Sequence, residues 1–86
     1  MDIQVRQRND EEYLVTIKED DDSVSDHVVT LDEEYYHKLS NDSEEEFIKE
    51  CFEFLLAREP KEHIMQGFNI KEIQDYFPEF EKTIKE

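Results

Sequence analysis

Cys51, His27, His37 and His63 are the residues of this sequence best able to bind zinc or attack a carbonyl. Structural zinc sites take their Cys and His ligands at short, characteristic spacings, and these four form none. A Cys–His nucleophile pair meets only in space, so spacing alone leaves it open. Cys51, however, sits among apolar residues at helical spacing, with no electropositive setting to lower its pKa. It is expected to pack as a small hydrophobe. His37, beside Lys38, is expected at the surface, while His27 and His63 belong to no pattern.

Carboxylates dominate the polar residues, with 25 Asp and Glu against 10 Lys and Arg and a formal charge of −15. A glycosidase holds two carboxylates about 5–9 Å apart across a cleft, but nothing singles out two of these acids. Asp20, Asp22 and Asp26 lie close enough to suggest a calcium loop. Such a loop needs glycine at its sixth position and glutamate at its twelfth. Counted from Asp20, those positions hold Ser25 and Leu31, and the motif fails. Gly67 is the only glycine, so no Gly-rich phosphate loop or nucleophile elbow can be built. The expectation is a protein that is not an enzyme, with no catalytic, cofactor or metal residues.

Binding is what remains. Residues 1–30 hold 9 acids and 3 bases, 31–58 hold 9 and 3, and 59–86 hold 7 and 4. The charge therefore belongs to the whole body and not to a tail. It favours solubility and repels nucleic acid and anionic membranes. A basic protein is the expected partner, with the chain acting as a regulator or antitoxin-like neutraliser. Tyr76, Phe77 and Phe80, in the run Tyr76-Phe77-Pro78-Glu79-Phe80, are the candidate interaction residues. If they protrude, they are aromatic anchors rimmed by acids. If their helical spacing buries them, they are core.

These side chains need elements to position them. Ile3 and Val5 alternate with Gln4 and Arg6, and Tyr13, Val15 and Ile17 alternate with Leu14 and Thr16, the period of strands. Val24 to Leu31 predicts a third strand after the charged turn Glu19–Ser23. Three strands in an antiparallel meander need a helical layer on their apolar face. Thr30 and Glu33 predict a capping box for a short helix carrying Leu31, Tyr35 and Leu39. Ser43 and Glu46 predict a second, opening a helix from Glu44 to about Arg58. Its apolar residues Phe47, Ile48, Cys51, Phe52, Leu55 and Leu56 span an arc of about 180°, which needs contact on two sides.

Pro60 stops that helix and is expected to begin a short one ending at Gly67, with Ile64 and Met65 facing inward. Asn69 and Glu72 suit a further cap for a segment carrying Ile70, Ile73 and Phe77, and Pro78 breaks or kinks that segment. The fold class expected is α+β: a small antiparallel N-terminal meander packed against three to four C-terminal helices.

At 86 residues the chain predicts one domain spanning 1–86, burying about 60–65% of its unfolded surface. A composition 36% hydrophobic and 41% charged leans towards disorder. Six Phe and four Tyr at periodic positions argue for a folded chain. One cysteine excludes an internal disulfide. With no signal-peptide pattern at the N-terminus and no apolar run near the roughly 20 residues that span a bilayer, the chain is expected in the cytoplasm, off the membrane, as a monomer or homodimer.

A strand, a short helix and a longer helix over His27–Arg58 also look like the ribbon-helix-helix fold, in which strands pair across a dimer and read DNA. This dimeric DNA-binding regulator is the alternative reading. The positions that would read DNA, Asp26, Val28 and Thr30, carry no cation, although phosphate contacts require them. Only Arg6 and Arg8, in the strand Gln4–Arg8, are basic.

The stretch His27-Val28-Val29-Thr30-Leu31, the pair Tyr35-Tyr36, the block Phe52 to Pro60 and the run Tyr76 to Glu81 resemble a group of small uncharacterised prokaryotic proteins. The resemblance covers most of residues 13–81. It implies a self-contained prokaryotic domain and carries no activity or site residues.

Overall fold

A computed structural model of the chain describes residues 1–85. Strands β1 (Asp2–Gln7), β2 (Glu12–Lys18) and β3 (Val24–Thr30) form the antiparallel meander. A fourth strand, β4 (Gly67–Asn69), joins parallel to β3, giving the order β1-β2-β3-β4. Parallel pairing needs a long crossover, and the first helices supply it. The register gathers one apolar face: Val5 lies opposite Val15, Tyr13 opposite Val29, and Val29 beside Phe68. Leu14 and Val28 face each other on the other side, both half-buried.

The β2–β3 hairpin turns through Asp22, whose φ of 67° is left-handed. Aspartate tolerates that region better than most residues. The Asp21 carboxylate accepts from the Ser23 backbone N–H at 3.0 Å and from its hydroxyl at 2.6 Å.

Among the described residues there are four α-helices: α1 (Glu33–Leu39), α2 (Glu44–Leu56), α3 (Ile73–Tyr76) and α4 (Phe80–Lys85). The α+β class is as expected, with local corrections. Asp32, not Thr30, caps α1, accepting from the Glu34 N–H at 3.0 Å. Thr30 remains in β3, paired with Glu12 and Asn69, so its backbone cannot open a helix. Ser43 caps α2 through the Glu46 N–H, and Glu44, Glu45 and Glu46 complement the dipole of the first turn. Pro60 leads only into a single 3₁₀ turn, Lys61–His63, rather than a helix reaching Gly67. Gly67 instead begins β4 opposite Val28. Asn69 and Glu72 form the expected capping box, and Pro78 separates α3 from α4.

Helix α2 is the hub, and its wide apolar arc is used on two sides. Towards the sheet, Phe52 meets His27 and Phe68 with ring centroids 5.5 and 5.9 Å apart. Towards the C-terminal helices, Phe54 meets Phe77 and Phe80 edge-on at 5.8 and 5.1 Å. One buried cluster joins both sides. The radius of gyration, 12.1 Å, is close to the roughly 12 Å of a compact chain this long.

Polar ties lock the layers. The hydroxyl of Tyr13 donates to Glu44, that of Tyr36 to the Asp42 carbonyl, and that of Tyr35 to Glu81 at 2.9 Å. Burial, and then the carboxylates beside them, push the Tyr13 and Tyr35 phenols well above their ordinary pKa, and burial raises Tyr36. Lys61 is only 5% exposed. Its ammonium reaches Glu62 at 2.7 Å and Glu19 at 3.2 Å, and those hydrogen bonds hold its pKa above the usual lysine value.

Candidate functional site

The end of α2, the loop after Pro60, strand β4 and helix α3 meet around an apolar groove of about 180 Å³. Leu55, Ile64, Phe68 and Ile73 are its buried lining. Met65, 42% exposed, and Tyr76, 65% exposed, stand at its surface with the half-buried Phe77. Glu59 and His63 complete the wall.

Each part of this arrangement has a local cause. Ile64 is buried and Met65 is not, contrary to the expectation that both face inward. The reason lies in His27. Its imidazole Nδ1 is 2.7 Å from the Met65 carbonyl oxygen, and Nε2 is 2.6 Å from Ser25 Oγ. A carbonyl only accepts, so Nδ1 carries the proton. This buried histidine ties the Met65 backbone to β3, and the Met65 side chain is left outward. His27 is thus a positioning residue for one wall of the groove.

On the other wall, Pro78 ends α3 after one turn by forcing Phe77 out of helical geometry, to φ −130° and ψ 88°. Tyr76 therefore sits on the last turn of a truncated helix, where its ring projects. Arg58 braces the base: its guanidinium stacks 3.6 Å over the Phe54 ring and donates to the Phe54 carbonyl at 3.1 Å.

The three candidate interaction residues are thereby separated. Tyr76 and Phe77 reach the groove. Phe80 has no exposed surface and packs against Phe54 in the core, so it cannot touch a partner. Helical spacing alone could not separate them, because the break at Pro78 resets the phase of the helix. Met65, Glu59 and His63 carried no sequence signal for a site. The nearest was the alternation of Ile64, Met65 and Phe68, once Gly67 is read as strand.

The size of the groove limits its occupant. Small-molecule sites commonly enclose about 300–1,000 Å³, so this one suits a side chain more than a cofactor. A wider hollow of about 650 Å³ lies elsewhere, lined by Asp10, Glu11, Asp32, Glu33 and Glu34. Its carboxylates can attract cations, but no aromatic or methionine side chain stands at it.

The chemistry weighed from sequence is dispersed. Cys51 is fully buried, and burial pushes its thiol well above the ordinary range. His37 is exposed, His63 lines the groove and His27 is in the core. Among the described residues no three His, Cys, Asp or Glu side chains converge to hold a metal ion, and no helix is long and apolar enough to cross a membrane.

The ribbon-helix-helix alternative needs β3 to pair with its own copy. Here β3 is paired with β2 over its whole length and with β4 over Val28–Thr30, all within the chain. No family model matches the chain, and no similar protein or structure was found among curated proteins and solved structures.

Proposed function

We propose that the chain is a non-enzymatic interaction module whose partner is a basic protein, gripped by an apolar side chain seated in the Met65–Tyr76–Phe77 groove. The observation that supports this reading most is exposure. Among the described residues, Met65 and Tyr76 are two of the four large apolar side chains left open to solvent, and both belong to one concave site. Exposed aromatic and methionine side chains at a pocket mouth are the usual makings of a binding hot spot.

Charge complementarity selects the partner. The body carries −15, with Glu59 in the groove wall, so a segment rich in Lys or Arg is drawn in and an acidic one is repelled. The apolar anchor then slows its departure. Such a module would mask a basic surface, the behaviour of a regulator or antitoxin-like neutraliser.

The test is a titration of labelled Lys/Arg-rich peptides, each with a single Phe or Leu, against the intact chain and its Tyr76→Ala variant. Binding should weaken as salt screens the charges. Loss of a hot-spot ring should cost about 2 kcal/mol, close to thirtyfold in affinity. Equal affinity of the two chains, or indifference to the apolar residue, would remove the groove from the interface.

A further inference from the structure

The two outer edges of the sheet are β1 and β4. β4 is three residues long, too short to template another strand. β1 runs for six residues, Asp2–Gln7, without proline or a bulge; of the devices that usually blunt an edge it has only the charges of Asp2 and Arg6. Its open backbone groups can be assigned. The Arg8 N–H donates to the Glu12 carbonyl at 2.8 Å, which continues the β1–β2 register. Groups alternate along an antiparallel strand. The even residues of β1 therefore face β2, and Ile3, Val5 and Gln7 present their N–H and C=O groups to the open edge.

We infer that this edge is a homodimer interface, with β1 pairing antiparallel to β1 of a second copy about a two-fold axis at Gln4. That register is self-complementary. Ile3 lies opposite Val5 on the inner face, and about four backbone hydrogen bonds form between their outward groups. Both side chains are only half-buried within the chain and gain cover from the match. On the outer face, Asp2 lies opposite Arg6 twice over. Opposite charges directly across a pair of strands are favourable. Slipping the register by one residue turns the apolar pair onto the wrong face; slipping by two sets Ile3 against Gln7 in one direction or against Ile3 in the other, and either way parts Asp2 from Arg6. The result is a continuous eight-stranded sheet with its helices on one side.

Charge selects a second copy here as it selects a basic partner at the groove. In a chain of −15, β1 and Arg8 form a stretch with two cations and one acid. Two such chains meet there with less repulsion than across the acidic remainder of the sheet and turns. Added salt screens the remaining repulsion between the bodies, with a Debye length of about 8 Å at physiological ionic strength. Dimerisation should therefore strengthen from low to moderate salt, the reverse of the groove's basic partner.

Sedimentation equilibrium of the intact chain from micromolar to millimolar concentration tests this. The expected mass climbs reversibly towards twice the 10.5 kDa of the chain. Arg6→Asp, which sets acid against acid, should abolish that climb while leaving the circular dichroism of the fold unchanged. The double variant Asp2→Arg with Arg6→Asp should restore it. A mass that stays at 10.5 kDa in moderate salt, or an Arg6→Asp chain that still dimerises, overturns the proposal. Failure of the double variant to recover overturns the register.

Discussion

Phe52 and Tyr76 are both aromatic, and the fold uses them in opposite ways. Phe52 lies between α2 and the sheet with no surface exposed, its ring against His27 and Phe68. Tyr76 stands on a truncated helix and keeps most of its surface in water. Around Phe52, polar groups are paired inward; around Tyr76, Met65 is open to solvent and Phe77, though its ring meets Phe54, is only half-buried. The contrast separates residues spent on stability from residues held free for contact. It also shows that the acidic surface is no substitute for an apolar core.

The sharpest way to test that division is alkali. The Tyr13, Tyr35 and Tyr36 phenols belong to the packed region, and their folded pKa values lie above the unfolded value of 10.0. A group whose folded pKa is raised contributes stability that is present below the unfolded pKa and lost as pH rises through the folded one. Stability should therefore fall as the pH climbs above about 10, with tyrosinate absorbance and loss of helix signal moving together. Phenols that ionise while the helix signal holds would show that the hydroxyl ties are dispensable.

Phe52→Ala comes next, at about 3–5 kcal/mol in denaturant unfolding. A near-neutral result would place the ring outside the core and collapse the comparison. His27→Leu keeps volume but strands the Met65 carbonyl and Ser25 hydroxyl, at about 1–3 kcal/mol. It should also disturb the NMR signals of Met65 at the groove, which a purely local defect would leave alone. Ser43→Ala removes the α2 cap and should cost about 1 kcal/mol. Tyr76→Ala should change stability by less than about 0.5 kcal/mol. A larger loss would mean that Tyr76 is structural after all.

The packed region was far more legible in the sequence than the groove. Period-two alternation announces β1 and β2, and the dense 3.6-residue stripe announces α2, because many buried residues repeat one signal. The caps at Ser43 and Asn69 were readable because their chemistry is local. β4 was not readable: three residues make no pattern, and their strand geometry comes from pairing with β3, distant in sequence. The cap of α1 moved from Thr30 to Asp32 for the same reason, since ladder bonds outside the local window held Thr30 in the sheet. The groove depends on both long-range effects and on His27, whose role shows only when Met65 is brought to it.

Cys51 offers a clock. Its sulfur is enclosed in α2 and its thiol is held protonated by burial. A reagent that attacks thiolates can modify it only after the hub helix parts from the sheet. Under native conditions the labelling rate therefore counts openings of the whole packed region. A ligand that occupies only the closed form should slow that clock in proportion to its occupancy, without any probe being added to the protein.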